Sequence, residues 1–301
     1  MRDRLKRLYN ALIAWRYSIG FAEYSDAIVL DKTYFPTVHW IKGAPRKRWF
    51  ADPFILSISD HEIEVLAEDY SYQEKKARIS ILTIDRHSYR LKHISPLISL
   101  TEHLSFPAYF RKGNKLYIYP ENCRSGRLTL YEFDADSRKL ERETVILQQP
   151  IADAIITEID GKRVITGTLY PDDNGKSLFV FPFDPAEDNT NAPPLQITHF
   201  SDNTARNAGQ YFHVGQQLYR PAQCCNNRYG ECLVFQRINK TDHEKMTMED
   251  IKRIYSPSKR FNLSFHTFNI FHQEMLVVDA SGYRFRIIGR LLESLRNTFR
   301  R

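Results

Sequence analysis

Short runs of alternating hydrophobic and polar residues dominate this chain, and they come in pairs joined by polar turns. One run begins Asp52-Pro-Phe-Ile-Leu, turns near Asp60, and its return run ends at Glu68-Asp69. A period of two, with aromatic and β-branched residues at the apolar positions, predicts strands. The same strand, turn, strand unit begins again at His103, Asp153, Asn207 and His266, at spacings of 51, 50, 54 and 59 residues. A period drifting around 50 residues is the mark of propeller blades. Further runs at 78–84, 126–133, 177–183 and 231–236 supply a third strand to the first four hairpins. The pattern predicts an all-β, five-bladed β-propeller over residues 26–287. Basic amphipathic helical tails flank it at 1–25 and 288–301.

Three local expectations complete the layout. The last unit has its hairpin at 266–279 and a further strand at 283–287, so it needs an outer strand from elsewhere. Closure of the ring removes exposed edges, and the run at 26–31 is expected to provide that strand. Residues 241–253 are expected to form a short surface helix in the fourth linker.

Charge alters this picture only at the ends. The net charge is +7, yet residues 1–20 and 286–301 each carry five basic residues against one acidic, leaving −1 for everything between. A nucleic-acid partner would need a basic face on the domain itself, so none is expected. Leu5, Leu8, Leu12, Ile13 and Trp15 share one helical face, as do Ile287, Ile288, Leu291, Leu292, Leu295 and Phe299. Such basic tails suit an anionic membrane surface as well as closing helices packed on the propeller. No run approaches the ~20 apolar residues of a membrane span, and the stretch from Ala11 to Trp15 is too short for a signal peptide. The expected location is the cytoplasm, peripheral at the inner membrane face. Cys123, Cys224, Cys225 and Cys232 form no CxxC pair and are expected to be reduced thiols.

In a propeller the first strand of each blade opens beside the end of the second. That geometry collects Asp52 with Glu68 and Asp69, His103 with Glu121, and Asp153 with Tyr170. It adds Arg206 and Asn207 with Arg220 and Gln223, then His266 with Asp279. Crowded carboxylates raise one another's pKa values, and such a pair can divide acid and base work as sugar chemistry requires. Trp49 offers a ring to stack on a sugar or to plug the channel. The run Lys42, Arg46, Lys47 and Arg48 would favour an anionic substrate if it borders the pocket. Asp134-Ala-Asp136 falls in an outer turn far from this cluster, so no metal site is assigned. There is no glycine-rich phosphate loop or dinucleotide fingerprint, and the pattern leaves any cofactor open.

Trp-Phe-Ala-Asp-Pro-Phe at 49–54, Ala-Glu-Asp at 67–69, His-Leu-Ser-Phe-Pro at 103–107, Pro-Glu at 120–121, Asp153, Arg206, Arg-Pro-Ala-Gln at 220–223, Tyr229-Gly230 and His-Thr-Phe-Asn at 266–269 form an ordered series. The series resembles the N-terminal propeller domain of glucosamine inositolphosphorylceramide transferases. That domain is similar to the five-bladed arabinanase, levansucrase and invertase group of glycoside hydrolases. The resemblance implies that Asp52 is the base or nucleophile and Asp153 an orienting partner. The group's fourth-blade acid has no counterpart, because Arg206-Asn207 stands there; Glu121 or Glu68 could substitute.

The expectation is therefore a carbohydrate-active enzyme that transfers a glycosyl group in surface-polysaccharide or glycolipid assembly. Asp52, Asp153 and Glu121 would be catalytic, with a carbohydrate or sugar phosphate held by Trp49, Glu68, His103, Arg206, Arg220, Gln223, Tyr229, His266 and Asp279. A glycosidase of the same fold and a non-catalytic glycan-binding propeller remain alternatives.

Overall fold

The computed structural model describes residues 12–184, 189–240 and 245–298, and its strands form five four-stranded antiparallel sheets. Blade I holds β3 (Arg48–Ile58), β4 (Glu62–Ser71), β5 (Lys76–Asp85) and β6 (Leu91–Ile98). Blade II holds β7 (Ser105–Lys112), β8 (Lys115–Glu121), β9 (Leu128–Asp134) and β10 (Leu140–Leu147). Blade III holds β11 (Ile151–Ile159), β12 (Lys162–Leu169), β13 (Ser177–Pro182) and β14 (Gln196–His199). Blade IV holds β15 (Phe212–Val214), β16 (Gln217–Cys224), β17 (Cys232–Lys240) and β18 (Met246–Ile254). Blade V runs β19 (Ser264–Phe271), β20 (Met275–Tyr283), β1 (Trp15–Glu23) and β2 (His39–Trp40), joining the two ends of the ring.

Alternation puts apolar side chains on both faces of each sheet, and the core lies between blades. Phe54, Phe106 and Phe181 belong to the cluster shared by blades I to III, while Phe235, Phe265 and Phe268 sit between IV and V. The axis is polar: Asp52, Asp153, Arg206, Asn207 and His266 are buried there.

Closure follows the expected principle with a different segment. Residues 26–31 do not join the last blade; Ala27–Leu30 is a short helix, α1, whose Ile28 and Val29 pack between blades IV and V. The closing strand is β1, paired with β20 from Trp15↔Tyr283 to Glu23↔Met275. Tyr17, Ile19 and Phe21 alternate with Ser18, Gly20 and Ala22, a strand period that the helical spacing of the preceding leucines had masked. The propeller therefore begins at Trp15 rather than at 26, and of the expected N-terminal tail ahead of it residues 1–11 lie outside the described residues. The Lys252 ammonium fastens the segment after β1 to blade IV, donating to the carbonyls of Ile28, Asp31 and Tyr34 at 2.8, 2.7 and 2.6 Å.

Two other expectations change. The segment expected as a helix at 241–253 supplies the outer strand β18 from Met246 onward, while 241–244 lie outside the described residues. The strand expected at 283–287 is absent, because β20 stops at Tyr283 and helix α2 (Arg286–Thr298) follows.

Candidate active site

The first strands of blades I, II and III share one irregularity. Ala51 pairs with Glu68 and Phe54 with Leu66; Ser105 pairs with Glu121 and Ala108 with Tyr119; Ala152 pairs with Thr168 and Ile155 with Thr166. Each is a bulge with two residues facing one. The first bulged residue is left-handed in every case: Asp52 at φ 49, Phe106 at φ 44 and Asp153 at φ 44. Such a conformation costs on the order of 1–3 kcal/mol for a non-glycine residue. The turned amides find carboxylates on the preceding blade. Asp52 N donates to Asp279 Oδ2 at 2.8 Å, Phe106 N to Asp52 Oδ2 at 3.1 Å, and Asp153 N to Glu121 Oε2 at 3.1 Å. The blade II equivalent of Asp52 is thus Phe106, whereas His103 precedes the strand.

Asp52 and Glu121 border a pocket of about 480 Å³ at the end of the ring where first strands open. On its blade V and I side, His266 Nδ1 lies 2.5 Å from Asp279 Oδ1 and Nε2 lies 3.6 Å from Asp52 Oδ1. Asp52 Oδ1 also accepts from Thr267 Oγ1 at 2.9 Å. Burial favours neutral imidazole, but Asp279, Asp52 and Glu68 outweigh it and raise the His266 pKa. Asp52, His266 and Asp279 bring ligand atoms within 4.8 Å of one another, as a metal site would. The carboxylates of this group also accept the hydrogen bonds above.

Glu68 completes this half. Burial, followed by the charge of nearby Asp52, raises its pKa well above the carboxylate range. Burial likewise raises Asp52, against the opposing charge of His266. Ala77 N donates to His103 Nδ1 at 3.2 Å, so the neutral ring carries its proton on Nε2, 3.0 Å from Glu68 Oε1. His103 stands at the rim with 42% of its side chain exposed, a route from solvent to the buried pair.

The opposite side is built on Arg206. Its Nε lies 2.7 Å from Asp153 Oδ2 and its NH2 lies 2.9 Å from Glu121 Oε2, while NH1 holds the Asp173 carboxylate. Gln223 Nε2 donates to Asp153 Oδ2 at 2.6 Å. Burial pushes Glu121 upward, but Arg206 and the bonds from Asp153 prevail and hold it below the usual range. Burial raises Asp153 well above that range despite Arg206. Burial and Glu121 push the Cys123 thiol up to about 12, leaving it protonated.

Aromatic rings form the wall between the halves. Tyr17 stacks on His266 at 5.0 Å and lies 4.9 Å from Trp49, which in turn stacks on Tyr70 at 4.6 Å. Tyr229 meets His266 edge-on at 5.2 Å and lies under the Arg206 guanidinium, also at 5.2 Å.

Of the residues singled out from the sequence, Trp49, Asp52, Glu68, His103, Glu121, Arg206, Tyr229 and His266 line the pocket. Asp153, Gln223 and Asp279 are buried partners beneath it. Arg220 is not in the pocket: it is fully buried within blade IV, bonded to Asn207 Oδ1 at 2.8 Å, Gln236 Oε1 at 2.5 Å, Thr204 O at 3.2 Å and the Ala205 carbonyl. Arg206 reaches the pocket, but its nitrogens are engaged by Asp153, Glu121 and Asp173, which leaves little of it for a substrate phosphate. Asp69 turns away to Arg48 and Arg78, at 2.7 and 2.9 Å. The basic run at 42–48 does not border the pocket; Lys75 and Arg124 do. Sequence reasoning missed Tyr17 and Asp173 as site residues. The alternation around Tyr17 was a usable signal, whereas Asp173 sits in an irregular loop with none.

Residues 40–278 match the family of the N-terminal region of glucosamine inositolphosphorylceramide transferase 1. The chain belongs to that family. Relatives named glucosamine inositolphosphorylceramide transferase 1 occur in Oryza sativa subsp. japonica, 27% identical over 161 residues, and Arabidopsis thaliana, 27% identical over 162 residues. These alignments cover 50% and 52% of this chain but 20% of each relative, so the family resemblance spans a fifth of their length. Among solved structures, a GH43_1 enzyme from Xanthomonas citri superposes with a TM-score of 0.52 at 10% identity, over 79% of this chain and 89% of that one. The GH43 endo-arabinanase from Bacillus licheniformis gives 0.50 at 11% identity, over 81% and 99%. At these identities the likeness establishes the five-bladed fold.

Proposed function

We propose that the pocket transfers a glycosyl group in the assembly of a surface polysaccharide or glycolipid. The observation that carries this reading is that two buried carboxyls, Asp52 and Glu68, line one pocket beneath an aromatic wall, the pKa of each raised by burial. Asp52 acts as base toward the acceptor hydroxyl or stabilises developing positive charge on the sugar. Glu68 carries the transferable proton, a role first expected of Glu121, whose lowered pKa and bond to Arg206 suit it less. His103 returns protons from solvent, and Asp153 with Arg206 holds the opposite wall. The relatives' name, glucosamine inositolphosphorylceramide transferase 1, supports transfer as the direction of the chemistry.

The test incubates the purified protein with activated sugar donors and with lipid or oligosaccharide acceptors. Donor-dependent transfer is expected, falling by about 10³-fold or more in Asp52→Asn at an unchanged melting temperature. Wild-type turnover in that variant would sink the assignment. Release of sugars from oligosaccharides without a donor would mark a glycosidase. Glycan binding with no turnover, unaffected by Asp52→Asn, would mark a binding module.

A further inference from the structure

Helix α2 leaves blade V at the pocket end of the ring. Tyr283, the last residue of β20, pairs with Trp15, which opens β1 beside the pocket residue Tyr17. Tyr72, just past the end of β4, donates to the Trp15 carbonyl at 2.9 Å and carries the Arg284 guanidinium 4.1 Å from its ring centre. One side of α2 is seated on this rim. A Cβ at Gly289 would lie 2.4 Å from the Tyr283 ring, and Arg290 donates to Lys259 O at 3.0 Å and Asn262 Oδ1 at 3.1 Å.

The other side of the helix is apolar and bare. Ile287 is 75% exposed, Leu291 60%, and Ile288 and the preceding Phe285 43% each. Residues 287 and 291 are one turn apart and share a face. Five arginines against one glutamate occupy residues 286–301, and residues 1–20 carry a like surplus, while the remaining chain sums to −1. An exposed aliphatic face among arginines has the chemistry of an interfacial helix on anionic lipid. A second copy of the chain would oppose the same positive surplus to itself. No described helix is long and apolar enough to cross a bilayer, so attachment would lie in the surface plane.

We propose that α2 rests in an anionic membrane surface and turns the pocket mouth toward the lipid headgroups. Flotation of the full chain with vesicles tests this independently of turnover, so its failure would leave the glycosyl-transfer reading standing. The protein should float with phosphatidylcholine–phosphatidylglycerol vesicles, less so at high salt, and not with phosphatidylcholine alone. Ile287→Glu with Leu291→Glu should lower binding about tenfold or more at an unchanged melting temperature. Absence of wild-type binding, or equal binding by the double variant, would overturn the proposal. So would a wild-type dimer in light scattering that the double variant converts to monomer, which would assign the face to a second copy.

Discussion

Each side of the pocket gathers three carboxyl groups around one basic side chain, and the two basic groups differ in kind. Asp52, Glu68 and Asp279 surround His266, which can release its proton; Glu121, Asp153 and Asp173 surround Arg206, which cannot. The difference separates a side able to exchange protons from one that is electrostatically fixed. It also explains why two glutamates at equivalent register positions, Glu68 and Glu121, are shifted in opposite directions. One meets another carboxyl and the other meets a guanidinium.

The strongest way to break the comparison is to remove the fixed cation. Arg206→Met should cost about 3–5 kcal/mol in denaturant unfolding, because buried carboxylates lose their counter-charge. A loss under 1 kcal/mol would mean that the arginine side is not held by charge.

A paired substitution asks whether the two glutamates differ in sign. Glu121→Gln removes an ionised partner of Arg206 and should destabilise by about 1–3 kcal/mol at pH 7. Glu68→Gln replaces a carboxyl that folding forces to take up a proton, and should be neutral or stabilising by about 1 kcal/mol at that pH. Urea midpoints moving in the same direction by similar amounts would erase the distinction.

The smallest effect is the pH dependence of the histidine. A raised folded-state pKa gives His266 a contribution fully present below its unfolded value of 6.5 and lost as pH rises through the higher folded value. The stability gap between wild type and His266→Gln should therefore shrink as pH climbs above about 6.5. A gap that widens with pH would reverse the electrostatic assignment.

How much of this was legible can be seen residue by residue. Asp52 and Asp153 announced themselves because a bulge repeated from blade to blade leaves the same imprint in the sequence. Glu68 and Glu121 followed from the antiparallel return of the second strand. What distinguishes them was not legible, since it depends on which blade an arginine leans toward. Arg220 looked like a substrate ligand because strand-end position is readable, whereas the direction of a side chain within its sheet is not. The closing strand was foreseen as a need of the ring but assigned to 26–31, since leucines at helical spacing run directly into the β1 alternation.

The amide of Asp52 is satisfied by Asp279, a residue 227 positions further along the chain. On a ribosome, then, the first blade emerges with its central carboxylate turned toward a partner not yet made. The left-handed bulge has no reason to persist until blade V arrives and β1 locks into it. Completion of this pocket is thus a late event of synthesis, and the nascent protein carries Asp52 in an unfinished setting until the ring is shut.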